Sequence, residues 1–331
     1  MDHGQTPCPS SATDLHGADR PLVKEGMRIL FFIDAQWALG SLHSGLCSAL
    51  REAGWIADIK SWSKGYVTSE FVEEASRYDY IVTLPFGGTR YLADSFPNSY
   101  HIPREKIIIV AHDESDIQKL LAASGAEEFN RFAGYGVVSD SLACSSIALG
   151  IKRLPLIVRC GVDCGNYRFD ISARLSSVGY ATLMSRNTES GIERKRGALA
   201  RACAVAAGLQ FTPIDNLPFE KMPDYYGSIS SLLMPSLQEG AGLPPLEAAA
   251  AGRLVIGTPV GHFPRLAYEG LGILAPLEAE AFQRFAVEKL IYYRNNPAAY
   301  VDKCTAIRDA SGQRDWRNVV VDWIELFLSA R

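Results

Sequence analysis

The chain has 331 residues, a formal net charge of −4, 47% hydrophobic and 21% charged residues. That length suits two domains better than one, and the balance is that of a globular chain able to bury sizeable cores. The negative charge, with no Lys/Arg-rich run and no interleaving of aromatic and basic residues, argues against nucleic acid as the main partner, and no apolar stretch approaches the ~18 residues a membrane span needs.

The opening segment, residues 1–26, is polar and rich in Ser, Pro and Gly. It lacks the basic-then-apolar order of a secretory leader and reads as a mobile tail. Seven cysteines at scattered spacings make a disulfide framework unexpected and favour a reducing, cytoplasmic setting. Cys160 and Cys164 in "CGVDC" have no second Cys/His pair at zinc-site spacing, so no metal is expected there.

From Met27 the chain alternates. "MRILFFID" is a short apolar run of the kind found in buried parallel strands. "AQWALGSLHSG" reads as a loop, and "SGLCSALREAGW" as a helix with Leu46, Leu50 and Ala53 on one face and Gly54 as its stop. "IADIKSW", "YDYIVTLP" and "KIIIVAHD" are further strands. "YGVVSDSLACSSIALGI" reads as strand into helix, and "LPLIVRCGVD" as another strand. After Phe169 the pattern restarts with the strand "LSSVGYATLM", the helix "RKRGALARACAVAAGL", and the strands "LQFTPID" and "SISSLLMP". Next come the loop and helix of "PSLQEGAGLPPLEAAAAG", the strands "RLVIGT" and "GILAP", and a helical run broken at Pro297. The closing helix in "DWRNVVVDWIELFLSAR" has Val319, Trp323, Leu326 and Phe327 on one face. Alternation of this kind gives parallel sheets covered on both sides. The expected fold is α/β, two Rossmann-like domains facing a central cleft. The expected parts are a tail over 1–26, a first domain over 27–165, a second over 166–312, and a closing helix over 313–331 returning to the first domain.

The stretch from Pro235 to Gly252 carries most of the chemistry. A strand ends, a loop with Gly240 and Gly242 follows, and Pro244 and Pro245 stand where a helix begins. Glycines let backbone approach a ligand, and the free N–H groups and dipole of a helix start suit an anion such as a pyrophosphate. Glu239 and Glu247 bracket the loop, so one carboxylate could accept from a ribose diol and the other from a sugar hydroxyl. Each also has an ordinary reading: Glu247 as first-turn capping, Glu239 as a solvated loop acid.

"EGAGLPPLE" (Glu239 to Glu247) resembles the E-x7-E motif of retaining GT-B glycosyltransferases of the family-4 type. The flanks "LLMPSLQEGAGLPPLEAAAAGRLVIGTPVGHFPRL", the "VSDS…CGVD…RF" run, "IIIVAHD" and "MRILFFIDAQWALGS" resemble that family as well, so the likeness extends from Met27 to the last helix. It implies transfer of a hexosyl unit from a nucleotide-diphosphate sugar, UDP- or GDP-linked, to an acceptor hydroxyl with retention, with no bound cofactor and no metal. By position, Glu247 would hold the donor ribose and Glu239 the transferred sugar. The backbone N–H groups of Gly240, Ala241, Gly242 and Leu243 would face sugar hydroxyls or phosphate. His112 would contact the sugar from the first domain, or else be an ordinary strand-end histidine. Gly40 would let a first-domain loop approach the diphosphate, or be a plain loop glycine. Lys195 would stabilise the departing diphosphate.

Two positions depart from the family. Tyr180 stands where an arginine is usual, so Arg186, with Arg194 next, is assigned the arginine's part. Arg265 stands where Glu is common. Two other classes fit the same fold: a degenerate module that binds a sugar nucleotide or a protein without turnover, and a sugar phosphorylase or epimerase. The acceptor, whether glycan, lipid-linked or small, is not legible. No basic amphipathic helix supports a stable membrane anchor, which leaves weak peripheral contact at most.

Overall fold

A computed structural model describes residues 26–35, 38–62, 67–94, 100–181, 193–214 and 217–331. The first half is laid down as β1 (Arg28–Ile33), α1 (Ala38–Glu52), β2 (Ile56–Ser61), α2 (Ser69–Ser76), β3 (Tyr80–Thr83), α3 (Gly87–Leu92), β4 (Ile107–Ala111), α4 (Glu114–Ser124), β5 (Gly134–Val137), α5 (Asp140–Ala148) and β6 (Leu156–Ile157). The second runs β7 (Ser177–Tyr180), α6 (Gly197–Ala206), β8 (Gln210–Pro213), α7 (Met222–Ser228), β9 (Ser231–Met234), α8 (Leu243–Ala250), β10 (Leu254–Gly257), α9 (Phe263–Tyr268) and β11 (Ile273–Leu274), then α10 (Ala279–Asn295), α11 (Pro297–Ser311) and α12 (Trp316–Ser329).

Two sheets form, ordered β2-β1-β3-β4-β5-β6 and β11-β10-β9-β7-β8. Every strand pairing within them is parallel. The apolar runs cause this: all of Ile29–Ile33 and all of Ile107–Ala111 are buried, which requires cover on both faces. Each sheet has a point where the strand order reverses, between β1 and β3 in the first and between β7 and β9 in the second. Ligands of open α/β sheets bind outside the carboxyl ends of the strands at such points.

The closing helix α12 returns to the first sheet. Its Trp323 packs edge-on to Phe31, with ring centroids 6.3 Å apart, and its Phe327 lies 5.8 Å from Trp55. A Cβ at Gly136 of β5 would come within 2.9 Å of Leu326, so the bare strand is what admits the helix. Arg159, in the segment joining the two sheets, binds Asp322 of α12 through two nitrogens, at 2.5 and 2.8 Å.

Three local expectations change. "AQWALGSLHSG" does not stay a loop: the helix starts at Ala38, so Gly40 sits in its first turn. A Cβ there would lie 2.1 Å from the Ala35 carbonyl oxygen, which is why the turn closes so tightly on β1. "LPLIVRCGVD" forms a strand only at Leu156–Ile157. Beyond it Val162 exchanges backbone bonds with the segment before α12 instead, donating to Arg314 O and accepting from Trp316 N. The helix expected from Arg194 begins at Gly197, because Arg196 adopts a left-handed conformation at φ 52° and breaks the turn before it.

Candidate functional site

The loop after β9 is built as its glycines suggest. Gly242 caps α8 at φ 74°, in the left-handed region that favours glycine, and Pro244 and Pro245 fill the first turn. Ala248, Ala249 and Ala250 are fully buried, so small side chains let α8 lie close on the sheet. Gly240 meets the first domain: a Cβ there would sit 1.5 Å from the His112 carbonyl oxygen. His262 takes the loop's carbonyls, its backbone N–H bonding Ala241 O at 3.4 Å and its ring Nε2 bonding Gly242 O at 2.8 Å. Since a carbonyl only accepts, Nε2 carries the proton, and burial lowers the ring's pKa to about 3 and keeps it neutral.

Lys195 and Glu239 come together at the reversal point of the second sheet. Lys195 Nζ lies 2.5 Å from Glu239 Oε2, and the Glu239 side chain is only 9% exposed, so it is not a solvated loop acid. The segment before α6 is laced to this loop: Leu237 N donates to Arg194 O at 2.8 Å, and Arg194 Nε donates to Gln238 O at 3.0 Å. Tyr180 donates its hydroxyl to Lys195 O at 3.0 Å, so it fixes the backbone of that lysine. Arg194 Nη2 reaches Asp113 Oδ2 of the first domain at 2.9 Å. Arg186 lies outside the described residues.

His112 supplies its backbone to the Gly240 contact. Its ring packs beside His43, with centroids 5.3 Å apart, and its shielded Nε2 has no hydrogen-bond partner among the described residues. Burial and the neighbouring His43 hold its pKa well below the ordinary value, so the ring is neutral at physiological pH.

Glu247 sits differently. It is 6% exposed, and its Oε2 accepts the hydroxyl hydrogen of Tyr226 at 2.7 Å. The Tyr167 phenol lies beside it, and burial raises the carboxyl pKa to about 7. It caps no helix end. It lines a cavity of about 730 Å³ together with Gly40, Ser41, Ser44 and Ser48 of α1, Tyr167 of the joining segment, and Phe219 ahead of α7. Gly40 and Glu247 therefore face one space from opposite domains. The volume suits a nucleotide-sized ligand.

Sequence reasoning missed Tyr167, Tyr226, His262 and Asp113, whose roles come from contacts distant along the chain. It also gave Arg265 no partner. The structure pairs it across the domains with Asp140 through two bonds, at 3.0 and 3.2 Å. Among the described residues no cluster of His, Cys, Asp and Glu could hold a metal ion. None of the described helices is long and apolar enough to cross a membrane.

The architecture is that of the GT-B class. The family model "Glycosyl transferases group 1" matches residues 173–292, and no curated protein matches the chain. Among solved structures it is similar to HepE from Anabaena in complex with UDP, at 15% identity and TM-score 0.63 over 92% of this chain and 100% of that one. Sucrose-phosphate synthase from Thermosynechococcus elongatus gives 15% identity and TM-score 0.63, over 91% of this chain and 98% of that one. The catalytic domain of starch synthase IV from Arabidopsis thaliana, bound to ADP and acarbose, gives 11% and 0.66 over 92% and 99%.

Proposed function

We propose that the chain is a glycosyltransferase moving a hexosyl unit from a nucleotide-diphosphate sugar to an acceptor hydroxyl with retention of configuration. The observation that carries this reading is the glycine loop with its two acids. At one end Glu239 is paired with Lys195, and at the other Glu247 opens onto the interdomain cavity. In this reading the Glu247 carboxylate takes the ribose diol. The start of α8 and the close turn at Gly40 receive the diphosphate. Lys195 stabilises the charge that the leaving diphosphate gains, and Glu239 and the neutral His112 hold sugar hydroxyls. Tyr180 keeps the Lys195 backbone in place, and Arg194 is the arginine within reach of the loop.

The acceptor oxygen attacks the anomeric carbon on the face from which the diphosphate departs, and its proton passes to the leaving phosphate oxygen. No separate strong base is needed. Contact between the domains at Gly240 excludes water from the donor. The complexes of HepE with UDP and of starch synthase IV with ADP support a nucleoside diphosphate as the donor's leaving part. The reading places the protein in the cytoplasm, working without a metal.

A module that binds a sugar nucleotide without turnover is the second reading, and Tyr180 in place of an arginine is what favours it. The test is a thermal-shift and turnover panel with UDP, GDP, ADP and their glucose conjugates. Stabilisation by one nucleotide, with release of that nucleotide in the presence of acceptors, supports transfer. Stabilisation without any turnover favours the binding module, and no stabilisation by any of them overturns both. Transfer that depends on inorganic phosphate would point to a phosphorylase instead.

A further inference from the structure

We propose that Tyr226 and Tyr167 are positioning residues for the Glu247 carboxylate, and that binding of a ribose diol there expels a proton from it. This rests on the donor-site reading above.

The geometry is specific. Tyr226 is fully buried on α7 and Tyr167 is 5% exposed in the segment joining the domains. Their rings lie 6.0 Å apart; the Tyr226 hydroxyl donates to the carboxylate at 2.7 Å, and the Tyr167 phenol lies beside the same group and feels its charge. Burial and the adjacent carboxylate hold both phenols above their ordinary range, so both remain donors. A carboxylate offers about four lone-pair positions. The Tyr226 hydroxyl occupies one of them and the Tyr167 phenol flanks the group, which leaves positions for the paired hydroxyls of a ribose.

The charge environment gives the coupling its direction. The groups facing Glu247 are Tyr226 from α7 and Tyr167 from the joining segment, with Asp163 and Glu220 elsewhere on the cavity wall. Arg308 of α11 is engaged by the carbonyls of Ala250 and Cys164. Among the described residues no lysine or arginine pairs with the carboxylate. An acid so placed is shared between protonated and ionised forms near pH 7, and only the tyrosine bonds pull it toward ionisation. A diol donates two hydrogen bonds, which the ionised form accepts and the protonated form cannot fully accept. Ligand and proton therefore compete for one group.

The experiment is calorimetric titration of the full chain with UDP-glucose and, in parallel, ADP-glucose and GDP-glucose, from about pH 6 to about pH 9. Buffers of different ionisation heat report the protons released. In these sugars the diphosphate is doubly esterified and does not titrate near neutrality. As pH rises toward the midpoint the wild type is expected to bind more tightly, by up to about tenfold per pH unit, and evenly above it. Tyr226→Phe should move the midpoint upward, binding more weakly near pH 7 and recovering at the alkaline end. Tyr167→Phe should do the same, and Glu247→Gln should give a flat, weak profile. A flat wild-type profile, or a Tyr226→Phe variant weakened equally at every pH, overturns the inference while leaving the donor site standing. Failure of every nucleotide sugar to bind overturns the donor-site reading, and this inference with it.

Discussion

Glu239 and Glu247 stand at the two ends of one nine-residue motif and live in opposite surroundings. Glu239 has a full cationic partner, Lys195, at 2.5 Å. Glu247 has the Tyr226 hydroxyl as partner, the Tyr167 phenol beside it and, among the described residues, no cation, and burial raises its pKa to about 7. Their positions explain the difference. Glu239 lies at the strand-order reversal of the second sheet, where the basic segment before α6 meets the loop. Glu247 lies one turn inside α8, where, among the described residues, neutral side chains from α7 and the joining segment reach it. A repeated residue type in a motif therefore does not imply a repeated chemistry: one acid is part of a charge pair, the other a tunable acceptor.

The largest effect expected from breaking this contrast is at the charged end. Under the proposed function, Lys195→Ala removes the cation that would meet the developing diphosphate charge. It should lower kcat by about 10²–10³-fold, by analogy with loss of one preorganised transition-state donor. Nucleotide affinity should change far less, because the interaction grows only in the transition state. Equal losses in kcat and nucleotide affinity would show Lys195 to be a binding group only.

At the neutral end the expected effect is on stability. The Glu247 carboxyl titrates near 4.5 in an unfolded chain and near 7 in the fold. Between those values the folded protein holds the extra proton. Stability therefore falls as pH rises through that window and is level above it, by at most about 3 kcal/mol. Glu247→Gln should flatten this part of the pH–stability curve and leave the unliganded protein more stable at pH ~8. A curve of unchanged shape in the variant would mean that Glu247 is ionised throughout. Tyr226→Phe should act more weakly, costing about 1–3 kcal/mol when Glu247 is ionised and less when it is protonated, measured by urea unfolding at two pH values.

The sequence made the frame of this site legible. Apolar runs such as "MRILFFID" and "KIIIVAHD" announce buried parallel strands because a strand covered on both faces has no polar alternation to hide. The glycine loop, the prolines and the alanines of α8 are read from local backbone demands, so they too were visible. What stayed hidden was set by distant contacts. Tyr226 precedes Glu247 by 21 residues and Tyr167 lies in a linker, and neither is marked by period or composition. Gly40 looked like a loop glycine because glycine weakens a helix, yet here the need to pass the Ala35 carbonyl outweighs that propensity. Tyr180 read only as a departure where the resemblance expects an arginine, and the bond to Lys195 O shows what it holds.

The smallest expected effect lies between the domains, where the contrast can be sharpened. Arg265 and Asp140 form a forked pair across the cleft, but their side chains are 50% and 48% exposed. Exposed pairs of this kind contribute about 0–1 kcal/mol and weaken with salt. Arg265→Glu sets two acids face to face at the same place and removes the bridge. Thermal stability should change by no more than a degree or two. If closure brings Gly240 onto the His112 backbone, the variant should lose up to about fivefold in nucleotide-sugar affinity at low salt, and the loss should fade at high salt. The pH profile that belongs to Glu247 should be untouched, since Arg265 does not reach that carboxylate. A shifted profile in Arg265→Glu would mean that the tyrosine-held acid answers to domain closure as well as to its own surroundings.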